Sequence, residues 1–152
     1  MADDYTRVIN VSATPAAAYR AVTREFDRWW TQATGIFGTA GDEASFRFDP
    51  VYWTMRAEVL IPGRNVVLAC IDANHVHEGV LPPAAREEWL GTKLSWQIEP
   101  DGEHTRIAFT HEGLVPALAC YAICRTGWDF FFGNSLKNYL DTGTGLPAGV
   151  RQ

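Results

Sequence analysis

The sequence predicts an α+β fold in which an antiparallel sheet of about six strands packs against one long C-terminal helix. Two observations lead to this fold class. Short segments with alternating apolar residues occupy the middle of the chain, and one long apolar stripe at helical spacing follows them. Two short helices after the first strand complete the predicted order. A chain of 152 residues suits one domain, so we expect a single domain over residues 1–152.

The first part of the chain predicts one strand and two short helices. Residues 5–11 alternate and are rich in β-forming side chains, which indicates a strand. Thr14-Pro15 is typical of a helix start, because threonine caps the first turn and proline fits its first position. We expect this helix to end near Val22 and a second helix to span about residues 24–30. Three glycines within residues 34–41 then predict a loop.

The remaining strands follow from alternation of apolar and polar residues. We expect them at residues 46–48, 53–61, 66–71, 93–98 and 105–111. The last two form the clearest hairpin, because Pro100-Asp101-Gly102 supplies a turn between them. Residues 75–88 contain two consecutive prolines and predict a long excursion from the sheet.

A long helix is predicted from about Pro116 to Asp141, with Gly143 as its C-terminal cap. Its apolar stripe should face the sheet and consists of Ala117, Tyr121, Cys124, Trp128, Phe131, Phe132, Ser135 and Tyr139. Ile123 and Phe130 fall on the opposite face, which indicates an exposed patch, a contact under loops or a dimer interface.

Composition argues against several classes of function. The net charge is −5 and no run of Lys or Arg occurs, whereas a nucleic-acid-binding face needs concentrated positive charge. No apolar run approaches the ~20 residues of a membrane-spanning helix. The acidic start, Met1-Ala2-Asp3-Asp4, predicts no secretory signal, so we expect a cytoplasmic protein.

The three cysteines do not predict a disulfide framework. Cys120 and Cys124 lie four residues apart on the predicted helix and share a face. Two metal ligands and two buried thiols are both compatible with this spacing. We expect buried thiols, because no His or Cys pair elsewhere in the sequence has the spacing of a zinc site.

Five motifs occur in order along the chain: Trp29-Trp30, Glu88-Trp89-Leu90-Gly91-Thr92, Thr105-x-Ile107-x-Phe109-x-His111-x-Gly113, Gly127-Trp128 and Ser135-Leu136-Lys137-x-Tyr139-Leu140-x-Thr142-Gly143. Together they resemble the START-like (SRPBCC) helix-grip superfamily, from about residue 6 to 147. Within it they resemble the branch related to the activator of the heat-shock-protein ATPase. The resemblance implies a curved sheet around the C-terminal helix and a hydrophobic cavity between them. The superfamily uses such cavities for lipids, polyketides and other apolar molecules, and its branch implies no shared catalytic set.

The predicted cavity wall comes from the inward strand faces and the helix stripe. The candidate ligand-binding residues are Phe48, Met55, Trp96, Phe109, His111, Tyr121, Cys124, Trp128 and Phe131. His111 is the leading polar contact and the candidate catalytic residue, because it shares a strand face with Ile107 and Phe109. A neutral imidazole there can bond a ligand carbonyl or serve as a general base. The alternative is a structural histidine at a strand end.

His75-Val76-His77-Glu78 would place two imidazoles on one face of a strand. With His111 or Glu112 nearby they would resemble a zinc site of two histidines and one carboxylate. A solvent-exposed loop edge is the alternative. We expect no metal and no cofactor, because the fold family does not imply one.

The predicted function is therefore binding of a hydrophobic or aromatic small molecule, lipid-like or polyketide-like, in the cavity. One alternative is an enzyme of the cyclase, dehydratase or hydrolase type that uses the same cavity with His111 as acid or base. A second alternative is an interaction module that contacts a chaperone or regulator through its outer surface. We expect a small-molecule partner, no nucleic acid and no membrane insertion, and a homodimer is compatible with the apolar patch on the helix.

Overall fold

A computed structural model describes residues 3–77 and 79–148. One antiparallel sheet holds seven strands in the order β1-β7-β6-β5-β4-β3-β2. The strands are β1 (Tyr5–Val11), β2 (Gln32–Ala33), β3 (Glu43–Phe48), β4 (Val51–Ile61), β5 (Asn65–Asn74), β6 (Lys93–Asp101) and β7 (His104–Glu112). The predicted fold class is confirmed. The strand beyond the expected six is the two-residue β2, which pairs with β3 at one edge.

Two short helices follow β1, in the order that the sequence predicts. In α1 (Pro15–Ala21) the hydroxyl of Thr14 accepts the backbone N–H of Ala17 at 3.1 Å, which satisfies a donor left free at the helix start. The second helix, α2 (Phe26–Trp29), is shorter than expected. A 3₁₀ helix (Pro83–Glu87) lies in the predicted excursion between β5 and β6.

The C-terminal helix begins later than predicted. Its first segment is α3 (Tyr121–Phe130), whereas the expected start was near Pro116. The carboxylate of Glu88 accepts the backbone N–H groups of Ala119 and Cys120, each at 3.0 Å. These bonds satisfy donors at the start of α3 from a residue between β5 and β6, and they tie the helix to the sheet.

A π-helical segment (Phe131–Leu136) follows α3 and leads into α4 (Lys137–Thr142). The predicted C-terminal cap is confirmed, because Gly143 adopts a left-handed backbone with φ 87°. The wider π turns change which side chains face the sheet. The buried positions are therefore Cys124, Trp128, Phe132, Ser135 and Leu136, and not the single regular stripe that the sequence predicts.

The sheet curls around the C-terminal helix, and the inward face of each strand forms the core. Across β6 and β7, Trp96 lies opposite Phe109 and Leu94 lies opposite His111, and all four side chains are buried. The same register places Ile98 opposite Ile107. Within the described ranges, no helix is long and apolar enough to cross a membrane.

Candidate functional site

A cavity of about 220 Å³ lies at one end of the space between the sheet and α3. Its wall consists of Trp30, Phe48, Val51, Trp53, His75, His77, Trp89, Ile123, Cys124, Gly127, Trp128 and Phe131. The tryptophans, Val51, His75 and Cys124 are buried, whereas Phe48, Ile123 and Phe131 are half-buried and His77 is exposed. The cavity thus has an aromatic floor and a mouth toward solvent beside His77.

Four tryptophans form a continuous aromatic wall, called here the indole wall: Trp30, Trp53, Trp89 and Trp128. Trp53 stacks on Trp89 with ring centroids 4.2 Å apart and planes 19° apart. Trp30 lies 6.1 Å from Trp53, and Trp128 lies 6.1 Å from Trp89, both nearly parallel to their neighbours. The ring centroids of Trp30 and Trp128 lie 4.8 Å apart, so each of the four indoles contacts two others. Rings held on several sides in this way present a rigid apolar surface.

Four of the nine predicted binding residues lie on the cavity wall: Phe48, Cys124, Trp128 and Phe131. Three others, Met55, Trp96 and Phe109, point inward as expected but are at most 1% exposed and lie outside the lining. The reason is packing, since Phe109 lies 5.1 Å from both Trp96 and Phe132 and these rings fill the space. Tyr121 is half-buried in the first turn of α3 and also lies outside the lining.

His111 lies behind the indole wall, fully buried, and does not line the cavity. Its Nδ1 accepts the indole N–H of Trp128 at 3.0 Å. Its Nε2 lies 2.9 Å from the hydroxyl of Thr92. That hydroxyl donates to the carbonyl of Trp89 at 2.6 Å, so the imidazole Nε2 must donate to Thr92. Both ring nitrogens are therefore occupied by neighbouring protein groups.

These contacts make His111 a poor general base. Burial lowers its pKa from the ordinary value to about 3, because a charged imidazole would lose its hydration without gaining an anionic partner. A second proton would have to enter at Nδ1, where the N–H of Trp128 already points. The predicted catalytic role is therefore replaced by a positioning role, in which His111 orients Trp128 directly and Trp89 through Thr92.

Eight residues of the wall are not among the predicted binding residues, and three of them are tryptophans. Trp30 and Trp89 belong to two of those motifs, and Trp53 lies on the predicted inward face of β4. Their tertiary neighbours, not their local sequence, place them beside the cavity. His75 and His77 also reach the wall, whereas Glu78 lies outside the described residues.

The polar part of the wall combines imidazoles and a thiol. The rings of His75 and His77 lie 5.1 Å apart, and burial, followed by the nearby His75, lowers the pKa of His77. The Sγ atom of Cys124 accepts the indole N–H of Trp89 at 3.2 Å. The same Sγ atom lies 3.9 Å from Nδ1 of His75. Neither imidazole pairs with His111 or Glu112, so the metal arrangement considered from the sequence does not form.

The motif Glu88-Trp89-Leu90-Gly91-Thr92 organises this end of the molecule. Glu88 caps α3, Trp89 bonds to Cys124, and Thr92 bonds to His111. Three side chains within five residues thus connect the helix, the indole wall and β7.

Comparison of the fold with solved structures identifies its relatives. The solution structure of the Aha1 dimer from Colwellia psychrerythraea matches with a TM-score of 0.74 and 29% sequence identity, over 93% of this chain and 98% of that one. The protein has the START-like (SRPBCC) helix-grip fold. Its resemblance to the branch of Aha1, the activator of the Hsp90 ATPase, is likewise confirmed.

Two further structures share the fold at lower identity. DynU16, a putative protein of the dynemicin biosynthetic locus, matches with a TM-score of 0.71 and 19% identity over 94% of this chain, which spans 49% of DynU16. CalU16 from Micromonospora echinospora matches with a TM-score of 0.64 and 14% identity, over 94% of this chain and 76% of that one. No family model matches the chain, and neither does any curated protein sequence.

Proposed function

We propose that the protein binds an aromatic small molecule of one or two rings in the cavity beside the indole wall. The observation that carries this proposal is a cavity of about 220 Å³ walled by four tryptophans and two phenylalanines. An apolar cavity of ~150 Å³ in another protein holds benzene, so this volume suits a somewhat larger ring system. A long acyl or polyketide chain exceeds it, which narrows the ligand class expected from the sequence.

The wall also defines the polarity of the ligand. Apart from the thiol of Cys124, the polar side chains on the wall are the two imidazoles of His75 and His77. The indole N–H groups of Trp89 and Trp128 are already bonded to Cys124 and His111. Binding sites of this kind place a few polar groups on an otherwise apolar wall to orient the guest. We therefore expect a flat apolar molecule with one hydrogen-bonding substituent directed toward His75 and His77. The exposed position of His77 puts that substituent near the mouth.

The enzyme alternative loses its predicted base, because His111 has no free nitrogen and lies behind the wall. The homodimer considered from the sequence is supported by a separate observation, the 29% identity to Aha1 from Colwellia psychrerythraea, whose solution structure is that of a dimer. Homodimer formation is thus a second proposal. Light scattering coupled to size-exclusion chromatography tests it, and a monomer mass at all accessible concentrations would contradict it.

Gly127 allows a direct test of ligand binding. It lines the cavity, and a Cβ atom added there meets no heavy atom within 4 Å beyond its own helix. Gly127→Leu should therefore fill the cavity without disturbing the core. Because glycine is unfavourable inside a helix by up to ~1 kcal/mol, the variant should be at least as stable as the parent.

The experiment compares Gly127→Leu with Ala122→Leu, which adds the same side chain at an exposed position of the same helix. Quenching of tryptophan fluorescence by indole, naphthol and phenol derivatives measures affinity, and native mass spectrometry detects any co-purified molecule. We expect Gly127→Leu to weaken binding by at least tenfold and Ala122→Leu to leave it unchanged. Equal binding by the parent and Gly127→Leu would overturn the proposal, as would the absence of binding across the panel and of any retained molecule.

A further inference from the structure

Beside the aromatic cavity, three soft metal-binding side chains meet: His75, Cys120 and Cys124. All three are buried, and their ligand atoms lie within 4.8 Å of one another. His75 follows β5, whereas Cys120 is the N-cap residue of α3 and Cys124 lies in its first turn. The sequence separation of 45 residues between His75 and Cys120 hides this cluster from spacing rules, because only the packing of the helix on the sheet forms it.

We propose that His75, Cys120 and Cys124 bind a thiophilic metal ion of the Zn²⁺ class. Two cysteines and one histidine are a known zinc ligand set, in which a fourth position remains open. Thiolate and imidazole ligands select such ions over Mg²⁺ and Ca²⁺, which prefer oxygen. The proposal is independent of the aromatic ligand and would stand if the cavity bound none.

The distances are close to those of a bound ion. With Zn–N and Zn–S bonds of about 2.05 and 2.3 Å, a nitrogen and a sulfur in tetrahedral positions lie ~3.6 Å apart. Nδ1 of His75 and Sγ of Cys124 lie 3.9 Å apart. The Sγ atoms of Cys120 and Cys124 lie within 4.8 Å of each other, and each lies within the same distance of an imidazole nitrogen of His75. Small rotations of the side chains would bring all three atoms to one ion.

The charge of the complex suits its surroundings. A divalent ion bound by two thiolates and one neutral imidazole has no net charge, so it can lie among buried aromatic rings without an unpaired charge. The protons of both thiols leave when the ion binds. Cys70 differs from the other two cysteines, because no His or second Cys accompanies it in a cluster of this kind among the described residues.

Neighbouring groups hold the ligands in position, as outer groups do around metal ions in general. The indole N–H of Trp89 donates to Sγ of Cys124 at 3.2 Å. The carboxylate of Glu88 accepts the backbone N–H of Cys120 at 3.0 Å. The backbone N–H of His75 donates to the carbonyl of Arg86 at 2.8 Å, which anchors the third ligand. Each of the three ligands is thus held by a neighbouring group. For His75 and Cys120 the bond is to the backbone, so Nδ1 of His75 and Sγ of Cys120 stay available to an ion.

The cluster also meets the cavity. His75 and Cys124 both line it, so the open fourth position of the ion would be directed toward the site of the aromatic ligand. The ring of the exposed His77 lies 5.1 Å from that of His75, and His77 also lines the cavity. A bound ion would therefore offer a coordination point to the polar substituent of a ligand.

The test is a titration of the reduced, chelator-treated full chain with Co²⁺, followed by displacement with Zn²⁺. We expect one equivalent of Co²⁺ to produce the thiolate charge-transfer absorption and the intense visible bands of a tetrahedral site. Cys120→Ser and Cys124→Ser should lose the charge-transfer signal, and His75→Gln should weaken affinity by more than about tenfold. Cys70→Ser and His104→Gln are the matched controls and should behave as the parent.

If the parent protein shows no thiolate charge-transfer absorption with Co²⁺, the proposal is wrong, whatever the variants show. Persistence of the signal in both Cys120→Ser and Cys124→Ser would also overturn it, by showing that Co²⁺ binds elsewhere. If a variant does not fold, X-ray absorption of the Zn²⁺-loaded parent decides, because the proposed site requires two sulfur neighbours and at least one nitrogen. A spectrum with only oxygen and nitrogen neighbours would refute it.

Discussion

The two ends of the space between the sheet and the C-terminal helix are both built from large aromatic rings, yet only one end is filled. At the closed end, Trp96, Phe109 and Phe132 pack ring on ring with centroids 5.1 Å apart. At the open end, the indole wall lines a cavity together with Gly127, which contributes no side chain. The comparison shows that aromatic content does not distinguish a core from a cavity. The difference is whether neighbouring side chains fill the space beside the rings.

The largest effect is expected at the closed end. Trp96 is fully buried, so Trp96→Ala should lower the free energy of unfolding by about 3–5 kcal/mol, the usual cost of removing a large core ring. Urea unfolding measures this loss. Affinity for the aromatic ligand should change little in the folded fraction, because Trp96 does not line the cavity. A loss of less than about 1 kcal/mol would show that the closed end is not packed as described.

His111 connects the two ends, and its replacement should have the next largest effect. His111→Leu removes the acceptor of the Trp128 N–H and leaves that donor buried without a partner. An unpaired buried donor costs about 1–3 kcal/mol. Urea unfolding measures the loss, and a shift in ligand affinity would report displacement of Trp128. An unchanged stability and affinity would contradict the positioning role.

His111 should also make the stability depend on pH. In the folded protein its pKa is about 3, whereas in the unfolded chain it takes up a proton near its ordinary pKa of ~6.5. Between these values the unfolded state binds more protons, so stability falls as the pH decreases from about 6.5 toward 3. The slope from this group is at most ~1.4 kcal/mol per pH unit. Urea unfolding over this range should show a steeper slope in the parent than in His111→Leu, and parallel curves would refute the assignment.

At the open end, the half-buried Phe131 should contribute more to ligand affinity than to the stability of the fold. Phe131 is half-buried and packs 5.9 Å from Phe48 across the mouth. Phe131→Ala should lower the free energy of unfolding by about 1–2 kcal/mol, which is less than the loss of a fully buried ring. It should also lower the affinity for the aromatic ligand by several-fold. Fluorescence titration and urea unfolding of the same preparation measure both. A loss of unfolding free energy as large as that of Trp96→Ala would contradict the proposed difference between the two ends.

The smallest effect should have the opposite sign. Gly127→Ala adds a methyl group that meets no heavy atom beyond its own helix within 4 Å, and it removes a glycine from the interior of α3. It should raise the free energy of unfolding by about 0.5–1 kcal/mol. Gly133→Ala is the control, because its added Cβ would lie 2.6 Å from Cζ of Arg7 and must displace that side chain. Destabilisation by both variants would show that the space beside Gly127 is not open.

Much of the fold could be predicted because its signals are local. The cap at Thr14, the strand alternation in β6 and β7, and the glycine at 143 each depend on neighbours within a few residues. Two predictions that assumed regular strand or helix geometry over a long segment, for β4 and for the C-terminal helix, were wrong in part. The bulge between Ala57 and Val59 ends the regular alternation of β4, and the π segment moves the inward face of the helix.

The candidate site was predictable only in part, for the same reason. The sequence correctly placed Phe48, Trp128 and Phe131 on inward faces, but it could not separate them from Met55, Trp96 and Phe109, which share those faces. Whether an inward ring lines a cavity depends on what packs against it from the other side. For His111 the deciding contacts are with Thr92 and Trp128, 19 and 17 residues away in sequence.

The class of fold and the order of its elements were predictable because they follow from short-range patterns of burial and turn chemistry, and the resemblance to the helix-grip superfamily was predictable from short motifs. Three features depend on tertiary packing: which end of the interior stays open, the contact of His111 with the indole wall, and the meeting of His75 with Cys120 and Cys124. Those outcomes depend on distances between segments far apart in the chain. Such distances arise when the helix packs on the sheet, and no local pattern encodes them.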